Sequence, residues 1–314
     1  MPSAKIAGTN DLEVLETTVR IIVYSFLSLA LDAGLLMTAT PARNSLPDSE
    51  QRLRTNFAIN THDAFMQVSE AVAHKSVVSI VTQIQRADYE GDRAALKRLY
   101  EDLAPFADDN KFGAKVHYWR GFAMWRRAIQ GTSASATEIE QDLTSAVSEF
   151  EKAAAQDPSF IDAKVAAASC WQNLAALSYT QNDKARAREL MQKSFPWFKE
   201  TEALQPDNPR FLWVLGAYRF YNPPERGGGQ TFAIETYEKG LKAARQRVPT
   251  NDVLTPSWGE PELLMSLAFS NLNKTTPDLA AAERYAQQAL ALVPYWHYVR
   301  DLLLPQIRDA KNKK

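Results

Sequence analysis

Several groups of residues in this chain are of the types from which reactive sites are built. Cys170 and His117 are a thiol and an imidazole, the pair that nucleophilic catalysis uses. Nothing beside Cys170 in sequence lowers its pKa, and it stands in the Ala-rich stretch 162–176, where a small apolar residue packs against a neighbouring helix. Asp108-Asp-Asn110 with Gly113 supplies part of a calcium loop but lacks the distal Glu and the full alternation of oxygen ligands, so a helix-to-helix turn is expected. One cysteine and four histidines offer no zinc spacing, and no metal or cofactor is expected. Asn222-Pro-Pro-Glu-Arg-Gly-Gly-Gly-Gln-Thr231 places glycines ahead of a helix, where free N–H groups hold anions, but no Lys follows as a phosphate loop requires. A flexible connection is expected there. His297, within Tyr295-Trp-His-Tyr298, reads as half-buried packing, and Trp258-Gly-Glu260 before Pro261 reads as a helix start. With no acid, base and nucleophile converging, the chain is not expected to be an enzyme.

Charge narrows the partners. Lys plus Arg number 36 against 37 Asp plus Glu, a net charge of −1, which lacks the basic footprint of a nucleic-acid binder. Apolar residues make up 45% and charged residues 23%, the composition of a soluble globular chain of one large or two ordinary domains. Locally the charge is uneven. Residues 88–110 carry seven acids and three bases, whereas 111–127 carry five bases and no acid. Solvated faces are the expectation, with Arg126 and Arg127 near a helix C-terminus.

The N-terminus carries an address. Residues 21–31 form an apolar run preceded by Arg20 and followed by Thr40-Pro-Ala42, a small-x-small site, so residues 1–42 read as an export signal leading to the periplasm or another exported location. A retained membrane anchor is the alternative, because 21–39 is long enough to span, although Asp32 interrupts it. An ordinary buried helix is the third option. Residues 43–56 are polar and read as a linker into a mature domain of residues 57–314.

Beyond residue 57 the periodicity is helical, supported by 39 of the chain's 45 alanines and by breakers between the runs. A repeat emerges. Ala146, Phe150, Ala153 and Pro158 stand at relative positions 0, 4, 7 and 12, as do Ser194, Phe198, Thr201 and Pro206, and Ala282, Ala286, Ala289 and Pro294. Ala233, Tyr237 and Gly240 keep the first three places. Preceding helices carry Trp119-x-x-Phe122-Ala123, Leu212-x-x-Leu215-Gly216 and Leu264-x-x-Leu267-Ala268. A degenerate unit over 76–104, with its turn at 89–92, begins the array; 57–75 form an extra helix ahead of it, and 302–314 form a solvated cap.

Over roughly residues 76–296 these motifs resemble the tetratricopeptide repeat family. That resemblance implies an all-α fold: a right-handed superhelical array of antiparallel helix pairs, an α-solenoid whose first helices line a concave groove. Carried over by position, the groove residues are His117, Arg120 and Arg127; Gln172 and Asn173; Arg210, Trp213, Phe220 and Tyr221; and Phe269, with Met124 and Glu262 among the neighbouring places. Met124 stands where the family's carboxylate clamp has Asn. The arginines would hold carboxylates and the aromatics would supply buried area, which implies a noncatalytic scaffold binding a protein or peptide. The glycine-rich loop and the helix after it are also similar to repeat proteins exported by bacteria, including components associated with tripartite transporters. That second likeness implies the alternative, an exported accessory that binds a small-molecule solute.

Overall fold

The computed structural model describes residues 70–131 and 134–313, so the expected export signal, the linker and the first part of the 57–75 helix lie outside the described residues. The described chain is all-helical, with no strand. Its helices are α1 (70–90), α2 (Arg93–Asp102), α3 (Gly113–Ile129), α4 (Ala136–Gln156), α5 (Ile161–Thr180), α6 (Lys184–Leu204), α7 (Pro209–Tyr221), α8 (Gln230–Gln246), α9 (Glu260–Asn273), α10 (Leu279–Leu292) and α11 (Leu304–Asn312). A π-helical turn, Tyr298–Leu303, runs directly into α11. One expected boundary is corrected: residues 70–75 are the start of a continuous α1 and not the end of a separate helix. No Gly or Pro interrupts that run, so nothing stops the helix before Gly91, whose φ of 75° makes the turn.

Side chains at the caps set several of the helix starts. Asp92, Ser135, Asp183, Asn208 and Asp278 each accept a backbone N–H from the first turn that follows. Glu262 does the same in reverse, its carboxylate accepting the Gly259 N–H at 2.8 Å behind Pro261.

Adjacent helices pack in pairs: α3 with α4, α5 with α6, α7 with α8 and α9 with α10. The small residues of the sequence repeat lie at these contacts. Ala146, Ala153, Ser194, Thr201, Ala233, Gly240, Ala282 and Ala289 are all buried. Their larger partners fill the space opposite a small residue on the first helix: a Cβ on Gly121 would lie 2.9 Å from the Phe150 ring, and one on Gly216 only 2.3 Å from Tyr237. Ala153→Leu and Ala289→Leu are therefore expected to cost about 1–3 kcal/mol each by overpacking. Thermal unfolding checks this, and unchanged midpoints in both variants would refute the assigned register.

First helices also touch one another in chain order, α3 with α5, α5 with α7 and α7 with α9. Second helices join the next pair at α4 with α5 and at α8 with α9, whereas α6 makes little backbone contact with α7. At that step the core divides. One apolar cluster extends through the helices up to α7 and takes in Leu254 and Trp258; a second runs from Ala233 to Ile307, and Trp213 packs against both. The C-terminal segment is only partly the solvated cap expected, because Val299, Leu303, Leu304 and Ile307 are buried in the second cluster.

Candidate functional site

The basic residues assigned to the groove are held inside the protein. His117 Nδ1 lies 2.6 Å from Glu149 Oε2, and Arg120 donates to Glu149 Oε1 at 3.0 Å and to the Tyr100 carbonyl at 2.7 Å. Burial alone would raise the Glu149 carboxyl, but the hydrogen bonds from His117 and Arg120 and the Arg120 charge bring it down to about 2. Arg127 pairs with Asp142 and Glu138, and Arg93 joins the same two acids from α2 at 3.3 and 3.1 Å. Arg126 Nε donates to Asp88 at 2.7 Å. The acid-free run 111–127 is thus only partly a solvated face: Lys111 is exposed, but its arginines are buried and find carboxylates on α1 and α4. Unpaired, such charges would be expelled from the interior.

Arg210 is occupied in the same way. Its guanidinium grips Asp162 with two bonds, 2.7 and 2.9 Å, and donates a third to the Trp258 carbonyl at 2.9 Å. Burial would lower its pKa, but the Asp162 charge and hydrogen bonds outweigh that and raise it.

Trp258 shows what lies against this face of α3, where the groove was expected. The connection from α8 to α9 runs inward across α3: Trp119 Nε1 donates to the Leu254 carbonyl at 2.9 Å, and Trp258 Nε1 donates to the Tyr118 hydroxyl at 2.8 Å. The Trp258 ring stands 5.6–5.9 Å from Phe122, Trp125 and Trp213. Sequence spacing assigned no role to Trp258. Its only signal is a tryptophan in a Pro-containing, non-periodic stretch. The glycine loop, by contrast, stays outside, with residues 223–227 exposed. It is tightly built, since a Cβ on Gly228 would lie 2.0 Å from the Asn222 carbonyl oxygen.

The remaining assigned residues divide. Gln172 is turned to the α5–α6 contact, its amide 3.2 Å from Ser194 Oγ, and Asn173 is half-buried beside it in sequence. Trp213 is half-buried and fixed by a 2.8 Å bond from Nε1 to Ser266. Phe220, Tyr221 and Phe269 do come together: the Phe220 ring lies 5.1 Å from Tyr221 and 6.0 Å from Phe269. Tyr221 is 44% exposed, yet burial, together with the nearby Tyr298 phenol, pushes its own phenol well up. Burial pushes the Tyr298 phenol up as well. Tyr298, on the π-helical turn, lies near Tyr221 and was not foreseen from the repeat spacing.

Other residues that could do chemistry remain apart. The Cys170 thiol is fully buried and pushed up by burial. Asp109 accepts the N–H groups of Lys111 and Phe112 in a turn, as expected. His297 is half-exposed and pairs with Asp301 at 2.8 Å. Among the described residues no His, Cys, Asp and Glu gather as a metal site, and no helix is long and apolar enough to cross a membrane. Comparison with family models, with characterised proteins and with solved structures gives no match.

Proposed function

We propose that the protein is a noncatalytic binding scaffold, a right-handed tetratricopeptide-like array that takes a protein or peptide segment on the aromatic wall formed by Phe220, Tyr221 and Phe269. The observation that carries this is Tyr221, a large ring left 44% exposed beside Phe220, which in turn packs on Phe269. Exposed aromatics that cluster are the usual anchors of an interface. The basic end of the expected groove takes no part, because its arginines are already paired and part of its surface is covered by residues 254–258. Recognition therefore rests on apolar area. Placement outside the cytoplasm, through the export signal or the alternative anchor in residues 1–42, belongs to the same proposal.

A second function, binding of a small solute, draws support from the same inward connection, since it shortens the groove toward a cup. A photo-crosslinking residue at position 221, with a second at Val248 (88% exposed) as the control, separates the two in the producing cells. A protein or peptide adduct specific to position 221 supports the first, a small-molecule adduct the second, and equal labelling at both positions neither. With a partner in hand, Phe220→Ala with Tyr221→Ala is expected to weaken binding on the order of 30-fold, more than it weakens folding.

A further inference from the structure

In an open solenoid each unit touches only its neighbours. Here the first described helices also meet the last pair. Tyr89, at the end of α1, donates its hydroxyl to Glu262 Oε1 on α9 at 2.7 Å, across 173 residues of sequence. The Tyr89 ring packs edge-on against Trp296 at 5.0 Å and Tyr295 at 6.3 Å, and the turn at Gly91 lies against His297.

The polar groups at this junction do not balance. Asp88 and Glu262 are 3% and 0% exposed, and Arg126, at 5%, is the one cation buried with them among the described residues. Arg126 hydrogen-bonds Asp88, which also accepts from Gln130 at 2.6 Å. Glu262 is held by neutral donors, the Tyr89 hydroxyl and the Gly259 N–H. Ionised together, two carboxylates and one guanidinium leave a net negative charge in the interior, which is unfavourable unless a proton cancels it.

We propose that Asp88, Arg126 and Glu262 form a proton-dependent latch between the start and the end of the array: closed, its two carboxyls hold one proton between them, and loss of that proton loosens the junction. The groups around it leave the imbalance in place. On α1, Arg86 and Glu90 pair with each other at the surface, with Arg86 over the Tyr295 ring. On α3, Arg127 is turned to Asp142 and Glu138. From α7, Trp213 lies under the Arg126 guanidinium, and Arg210 is neutralised by Asp162. Glu260, at the start of α9, pairs with Arg245. From the C-terminal segment come Tyr295, Trp296 and His297, the last paired with Asp301.

Burial raises both the Asp88 and the Glu262 carboxyl, against the opposing pull of Arg126, and holds the Tyr89 phenol well up as a neutral donor. Parting the junction returns both carboxyls to water and to their ordinary range. The closed form therefore binds more protons than the open one, so acid tightens the latch and alkali loosens it, tenfold in the closing constant for each unit of difference. The latch acts whatever the aromatic wall binds.

Spin labels at positions 102 and 309, both exposed, with Cys170→Ala, report the distance across the junction. A narrow distribution near about pH 5 that broadens by about pH 9 is expected, and Glu262→Gln, which leaves one carboxylate for one arginine, is expected to abolish the broadening. Asp88→Asn leaves the same one-to-one balance and serves where Glu262→Gln does not fold. His297→Gln is expected to broaden like the parent. An unchanged parent distribution would overturn the latch, as would broadening that persists in the balanced variants or vanishes with His297.

Discussion

Trp258→Ala is expected to lower stability by about 3–5 kcal/mol, the range for truncating a buried aromatic. The ring is 8% exposed and touches Phe122, Trp125 and Trp213, so its removal opens a cavity where the two apolar clusters meet. It also takes the donor from the Tyr118 hydroxyl, a fully buried group with no access to water. Trp258→Phe separates the two losses. Ring packing largely survives in that variant, and the missing hydrogen bond costs about 1 kcal/mol. Chemical denaturation measures both. A loss below about 1 kcal/mol for Trp258→Ala would mean that the α8–α9 connection does not fill the groove. The face of α3 would then be open, and the basic end of the groove would return as a binding surface.

The helices and their pairing were legible because they depend on local spacing. A small residue every seven positions marks where one helix approaches another, and Ala153, Thr201, Gly240 and Ala289 are all buried as that spacing requires. What meets the faces expected to line a groove was not legible from the same signal. Position within a unit says which way a side chain starts out from its helix; it does not say what comes to meet it from 135 residues away, as Leu254 meets Trp119. Nor does spacing distinguish a basic residue aimed at a partner from one aimed at an acid on another helix. Arg120 and Arg127 find Glu149 and Asp142 on α4, 29 and 15 residues along the chain. The absence of acids over 111–127 was the available clue, since four bases on one helix need counter-charges from somewhere. Phe220, Tyr221 and Phe269 come together because they stand toward the ends of the neighbouring helices α7 and α9.

Arg210 gives the sharpest test of whether such arginines serve the fold or a partner. Asp162→Ala leaves a guanidinium that is 1% exposed with only the Trp258 carbonyl among its present acceptors, and is expected to destabilise the protein by about 3–5 kcal/mol. Most of that loss belongs to the stranded charge and little to the pair itself, because desolvating two ions offsets much of their attraction. Removing both charges distinguishes the two contributions: Asp162→Leu combined with Arg210→Met keeps volume and is expected to lie within about 1 kcal/mol of the parent or above it. The double variant still loses the Asn208 amide's 2.8 Å bond to Asp162 and the Arg210 bond to the Trp258 carbonyl, so a full return to parent stability would show these to be weak. If Asp162→Ala is tolerated without loss of stability while partner binding falls, Arg210 is a recognition residue after all. Equal destabilisation by the single and double variants would place the cost in lost packing around α5 and α7, with the buried charge contributing little.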